Sequence, residues 1–387
     1  MTPLRPMTPL STGQTPRAQT AALARLRREV RGFLAAQAGA TAFEPHCDSW
    51  MCGYSEPFTR ALADRGWLGM TWPRAYGGHE CSEVERYTVS EELLAAGAPV
   101  AAHWITDRQV GPGLLKYGTP QQRQAFLPLM ARGELYFAIG MSEPDSGSDL
   151  ASVRTSAVAC AGGWRVTGTK VWTSHAHRAH YLLTLARTRP REPDRHAGLS
   201  QLIIDLTAPG VHVSPIEFLD GEQHFNEVVL DSVFVPAENI LGAEGRGWQQ
   251  VTSELAFERS GPERILSTFP LLAELVRCHG GRCDREIGML LAELGTLRQM
   301  SRDVARAIQA GQVPAVEAAM VKDLGTRFEN RVIDVARQIA QVEPDPGSSD
   351  ALARLLAEAV LHAPAFTLRG GTSEILRGIV ARMVTRP

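Results

Sequence analysis

Met141-Ser-Glu-Pro-Asp-Ser-Gly-Ser-Asp149 divides this chain into two textures. The segment is a polar loop whose hydroxyls and backbone N–H groups suit a polar ring or a phosphate, although on composition alone it reads as a plain turn. Upstream of it the apolar residues fall at helical spacing. From Thr15-Pro16 to about Ala40, Ala22, Leu23, Leu26, Val30, Phe33 and Leu34 mark one amphipathic helix behind a cap and a proline at its first position. Further helices are predicted at Ser55–Asp64, Ser82–Ala96 and Thr119–Ala131. Residues 18–136 therefore read as a helical domain, preceded by a Pro- and Thr-rich arm over 1–17 that repeats MTPL and is expected to be disordered.

Downstream of the loop the period changes. Val153–Cys160 and Trp164–Trp172 flank an Ala-Gly-Gly turn, and β-type runs follow at Tyr181–Ala186, Gln201–Leu206, Val211–Ile216 and Glu227–Phe234. Residues 137–246 are predicted to form an antiparallel β-sheet or barrel. From Gly247 helical spacing returns through Ile287–Gln309, Pro314–Val342 and Ser349–Leu361, which makes 247–387 a helical bundle. The order helices, strands, helices predicts an α+β multidomain fold, because no βαβ alternation appears.

Composition narrows the function. The 387 residues carry 40 Lys+Arg against 42 Asp+Glu, a net charge of −2, which removes any general pull toward nucleic acid or anionic lipid. No apolar run approaches the ~18 residues needed to span a bilayer, and the N-terminus lacks the apolar centre of a secretory signal. A cytoplasmic protein is expected. Its six cysteines, Cys47, Cys52, Cys81, Cys160, Cys278 and Cys283, show no C-x2-C spacing and are read as reduced thiols. The signatures G-x-G-x-x-G, G-x-x-x-x-G-K-[ST], H-E-x-x-H and G-x-S-x-G are missing, which removes the commonest dinucleotide, kinase, zinc-protease and hydrolase readings. His175, His177 and His180 form H-x-H-x-x-H but have no acidic cluster beside them, so no metal is assigned.

Six ordered segments together resemble the acyl-CoA dehydrogenase family of flavoproteins, over nearly the whole chain. They are Trp72-Pro-Arg-Ala-Tyr-Gly-Gly78, Ser142–Asp149, Lys170-Val-Trp-Thr-Ser174, Phe225–Asn239, Leu255-Ala-Phe-Glu-Arg259 and Gly370-Gly-Thr-Ser-Glu374. The resemblance implies an N-terminal helical domain, a middle antiparallel β-barrel domain and a C-terminal helical bundle. It also implies FAD, with Met141 and Ser142 at the flavin's pyrimidine side, Trp172 covering the isoalloxazine and Ser174 near its reactive edge. Ser148 matches a contact to flavin or to the pantetheine arm, and Arg259 joins it on the substrate side. Thr372 and Glu374 match positions that hold the FAD diphosphate and adenosine, and the Gly370 N–H matches a donor to the thioester oxygen.

The base departs from the commonest family pattern, which places a glutamate where this chain has Gly370. A minority carries it on the helix that begins the last domain, just before an arginine, and Glu258-Arg259 occupies that place. The implied reaction is α,β-desaturation of an acyl thioester, on CoA or a carrier protein, by proton removal at Cα and hydride transfer from Cβ to flavin N5. The implied partners are an electron-transfer flavoprotein or another acceptor, in a homotetramer or dimer. Two alternatives keep the fold: a flavin-dependent monooxygenase, and a subunit of a hetero-oligomeric acyl-CoA dehydrogenase. The Arg-x-x-Phe-Gly and glutamine-glycine elements that many members supply to a neighbour's FAD are not recognisable in Cys278–Asp284 or Val342–Asp350.

Overall fold

The computed structural model describes residues 16–39, 43–191, 193–259, 261–281 and 284–384. Residues 1–15 of the arm expected over 1–17, and Cys283, lie outside the described residues; Pro16 and Arg17 are helical, which corrects the end of that arm. The first helix, α1 (Pro16–Gly39), starts at its N1 proline as the sequence requires. It is followed by α2 (Glu56–Ala63), α3 (Glu83–Ala95), α4 (Ala101–Ile105), α5 (Gly111–Tyr117) and α6 (Pro120–Ala131). Capping boxes open two of them: Ser82 and Glu85 exchange bonds at α3, and Thr119 and Gln122 do so at α6. A π-helical turn at Thr106–Val110 joins α4 to α5, a helical stretch that Gly111-Pro-Gly had masked in the sequence.

The strands are β1 (Phe137–Gly140), β2 (Ser156–Cys160), β3 (Gly163–Ser174), β4 (Tyr181–Arg187), β5 (Leu199–Asp205), β6 (Val211–Ile216), β7 (Phe225–Pro236) and β8 (Ile240–Leu241). They form one sheet in the order β6-β7-β3-β2-β4-β5-β8, with β1 beside β4. Most pairings are antiparallel, but β1 runs parallel to β4, and β2 touches it in parallel at Ser156–Arg187. The purely antiparallel expectation is corrected here: the β2–β3 hairpin intervenes between β1 and β4 and returns the chain to the same end, so the two point the same way. Pro215 sits in β6 at the edge of the path, where a missing N–H costs no central ladder bond.

The last helices are α7 (Gly247–Glu258), α8 (Phe269–His279), α9 (Asp284–Gln309), α10 (Ala315–Ala340), α11 (Ala351–Phe366) and α12 (Ser373–Val384). The sequence reading had not separated α8 or α12. Helix α11 also runs beyond Leu361, through Pro364, to Phe366.

The chain divides into two compact units. One comprises Thr59–His79 and Ala102–Leu255 and contains the whole sheet. Its core joins Trp72, Leu114, Phe126 and Leu127 to Phe137, Leu183 and Ile203. Trp72 lies so close to α5 that a Cβ on Gly111 would come within 2.1 Å of the indole, which explains that glycine. The other unit takes 16–58, Glu80–Ala101 and 256–384 of the described residues. There α10 packs against α8, α9, α11 and α12. Buried Glu91 and Glu92 of α3 pair with Arg27 and Arg31 of α1 and Arg298 of α9, so charge as well as apolar area holds these helices together.

Candidate active site

In the sheet-containing unit, the Met141–Asp149 loop hangs from a buried ion pair. Glu143 Oε1 accepts from the Thr155 N–H at 2.9 Å, the Thr155 hydroxyl at 2.6 Å and Lys170 Nζ at 2.9 Å, while Oε2 accepts from the Arg154 N–H at 2.6 Å. Burial alone would raise the Glu143 carboxyl. Lys170 and these donors outweigh it and hold the group below the usual carboxylate range. Burial in turn pushes Lys170 down to about 8, against the opposing pull of Glu143. Lys170 Nζ also donates to the Met141 carbonyl at 3.1 Å, and the next residue's N–H, Val171, donates to the Ser142 carbonyl at 3.0 Å. Met141 packs its side chain on Val153, Leu185, Leu199 and Val251. Beyond Glu143 the loop opens to solvent: Ser148 and Asp149 are exposed, and Asp149 pairs with Arg195.

The sequence after Lys170 breaks the ladder with β7. The register slips between Lys170 and Thr173, and Trp172 takes a left-handed φ of 60°. The indole is thereby turned outward, 56% exposed, with Phe225 edge-on at 6.1 Å. Behind it the ladder resumes at Thr173–Asn226 and Ser174–Phe225, and Asn226 Nδ2 donates to the Thr173 carbonyl at 2.9 Å. Among the described residues the buried Thr173 hydroxyl finds no hydrogen-bond partner. The nearby histidines have structural contacts: the ring of His177 meets Asn226 Oδ1 at 2.8 Å, and His180 Nδ1 accepts from the Tyr136 N–H. Among the described residues no cluster of His, Cys, Asp and Glu is arranged to hold a metal. Among the described residues, Cys47, Cys52, Cys81, Cys160 and Cys278 take part in no disulfide.

In the other unit, Gly370 and Gly371 form the turn between α11 and α12 at left-handed φ of 68° and 101°. Two side chains hold carbonyls at and beside this turn. Arg259 Nε donates to the Gly370 carbonyl at 2.9 Å, and the buried Lys322 of α10 donates to Phe366 at 2.9 Å and Gly371 at 3.0 Å. Arg369 forms a buried pair with Asp48 and lies over the Trp50 and Phe366 rings. A Cβ on Gly370 would meet the Arg264 guanidinium at 3.0 Å. Thr372 caps α12, its hydroxyl accepting from the Ile375 N–H at 3.4 Å. The Glu374 carboxyl is held low by its own backbone N–H and then by Thr372.

The residues singled out in the sequence thus form two groups. Met141, Ser142, Ser148, Trp172 and Ser174 lie on the sheet unit's loop and β3, while Arg259, Gly370, Thr372 and Glu374 surround the glycine turn. Glu258 is the last residue of α7; its side chain lies outside the described residues. The supporting residues Glu143, Lys170, Lys322 and Asp48 were not among the candidates. Glu143 and Lys170 had one signal, as charged residues inside a hydroxyl-rich loop and a β-type strand.

Sequence profiles of the acyl-CoA dehydrogenase N-terminal, middle and C-terminal domains match residues 20–134, 138–233 and 283–385. The chain belongs to the acyl-CoA dehydrogenase family. It is 35% identical to acyl-CoA dehydrogenase FadE34 of Mycobacterium tuberculosis over 335 residues, spanning 83% of this chain but 45% of that protein's length. It is also 35% identical to acyl-CoA dehydrogenase IpdE1 of the same organism, with 84% and 86% of the two chains covered. Among solved structures, the Tcur3481-Tcur3483 steroid ACAD superposes with a TM-score of 0.82 at 28% identity, covering 97% of this chain and 99% of that one.

Acyl-CoA dehydrogenases are FAD-dependent oxidoreductases acting on CH–CH bonds. The residues present suit that cofactor: an exposed indole turned out of β3, an orphaned Thr173 hydroxyl behind it, and an open loop at Gly147 where an added Cβ would meet nothing within 4 Å. No described helix is long and apolar enough to cross a membrane.

Proposed function

We propose that this chain catalyses FAD-dependent α,β-dehydrogenation of an acyl-CoA, with Glu258 as the base. The observation that carries the reading is the bond from Arg259 to the Gly370 carbonyl: it ties the residue after Glu258 to the turn whose glycine replaces the usual glutamate. A proton α to a thioester leaves only when a carboxylate stands at it and donors meet the charge developing on the carbonyl oxygen. Here the carboxylate is assigned to Glu258 and the donor to the Gly370 N–H, in a turn whose carbonyls are already occupied by Arg259 and Lys322. Met141, Ser142, Trp172 and Ser174 hold the flavin ring, Ser148 meets flavin or pantetheine, and Thr372 and Glu374 hold the diphosphate and adenosine end. Bound FAD supplies the two-electron acceptor.

The likeness to a structure titled a steroid ACAD supports a bulky polycyclic acyl group. The same reading takes the domain boundaries 18–136, 137–246 and 247–387, a homo-oligomer, a separate electron carrier and a cytoplasmic setting. The test is anaerobic titration of the FAD-loaded protein with straight-chain, branched and polycyclic acyl-CoA esters. Flavin bleaching in the wild type, and none in Glu258→Gln with FAD retained, supports the assignment. A flavin that stays oxidised with every thioester, but reacts with oxygen after reduction by a nicotinamide, overturns it in favour of a monooxygenase.

A further inference from the structure

Lys170 is a lysine with no exposed surface, spent on one carboxylate and one carbonyl. Such burial is costly unless every proton finds an acceptor, and a neutral strand residue would avoid that cost. The carbonyl it holds belongs to Met141, and the described chain contains no cis peptide bond. In a planar trans peptide the N–H points opposite to the C=O, so the Ser142 N–H faces away from the buried ion pair. Val171 then holds the next carbonyl, that of Ser142, so the peptides on both sides of Ser142 are anchored through their carbonyls. Even the space for the lysine is prepared, since a Cβ on Gly140 would meet the Lys170 stem at 3.1 Å and the Thr184 hydroxyl at 3.0 Å.

We propose that Lys170 is a positioning residue for the flavin: by holding the Met141 carbonyl it aims and polarises the Met141–Ser142 peptide, so that the Ser142 N–H is a strengthened donor to the pyrimidine edge. The inference rests on the flavin reading of Met141 and Ser142 above. A cation on the carbonyl draws electron density through the amide, and hydrogen bonds arranged in series reinforce one another. Glu143 keeps the cation in place from the other side. Its remaining acceptor sites are filled by the N–H groups of Arg154 and Thr155 and by the Thr155 hydroxyl, so the pair is anchored to the segment just before β2.

The test uses Lys170→Met/Glu143→Gln, which removes both charges together and leaves neither buried alone. FAD affinity of the apoprotein is measured by fluorescence, and the pyrimidine carbonyls of bound 13C-labelled FAD are followed by NMR. The expected result is a dissociation constant raised about tenfold or more, as for loss of a charge-assisted contact, with the carbonyl signals moved upfield. Affinity within about twofold of wild type, or weaker affinity with unmoved signals, overturns the inference, because general loosening does not single out those two carbons. Should the double variant not fold, Lys170→Gln decides by the same signals: upfield movement supports, no movement overturns. Trp172→Ala separates this from the parent reading. If it leaves the flavin spectrum untouched, the flavin assignment itself fails; if it alters the spectrum while the lysine variants do not, only the Lys170 inference falls.

Discussion

Two buried lysines grip backbone carbonyls, one in each unit, and they are used differently. Lys170 shares itself between the Met141 carbonyl and the Glu143 carboxylate, on a sheet whose ladder already fixes most of the backbone. Lys322 holds the carbonyl of Phe366, the last residue of α11, and that of Gly371, in a turn with no ladder to define it. The first lysine trims a geometry that strands have largely set, whereas the second, with Arg259, builds one. Loops made of glycine have little intrinsic preference, so charged side chains must supply the order that sequence propensity does not.

That contrast is sharpened first by Lys322→Met, which strips the Gly371 carbonyl of its lysine donor and takes one of two side-chain donors from Phe366, and is expected to cost about 3 kcal/mol by denaturant unfolding. Thr326→Val, which removes only the second donor to Phe366, should cost about 1 kcal/mol. Equal losses would break the comparison. The next effect concerns Glu329, whose Oε1 accepts from the Ser267 N–H at 2.9 Å. Burial, opposed by Arg369, raises its carboxyl to about 7. The folded state therefore holds a proton that the unfolded chain has already released, and stability falls as pH rises from near 4.5 through 7. Glu329→Gln should remove that decline and gain on the order of 2 kcal/mol above pH 7, read from unfolding curves across pH.

A smaller loss, about 1–2 kcal/mol, is expected for Gly370→Ala, since the turn demands a left-handed φ and the Arg264 guanidinium must shift. Turnover should fall with it. Trp172→Phe should change stability least, by under about 0.5 kcal/mol, because the indole is mostly exposed, while the flavin absorbance band shifts. A large stability loss there would make Trp172 a core residue after all.

Much of this was legible in the chain. Pro16, Ser82 and Thr119-Pro120 announced their helices because caps act locally, and the change of period after Phe137 announced the sheet. The parallel pairing of β1 with β4 was hidden because pairing partners are set by tertiary packing, not by alternation. Helix α11 runs through Pro364 to Phe366, giving up one helical bond in its last turn, where the sequence reads the proline as an end. In the site, the residues offered to ligand stood inside recognisable motifs. Asp48, Glu329 and Lys322 did not, since each serves a backbone atom or an arginine far away in sequence.

The division into units also governs how the molecule is made. Of the described residues, the unit built around α10 takes 16–58, the stretch Glu80–Ala101 and 256–384. During synthesis, its first helices leave the ribosome long before their partners exist, whereas the described residues of the sheet unit end at Leu255. Elongation thus imposes a schedule in which the sheet-containing unit is made before the glycine turn at Gly370 and Gly371 can close.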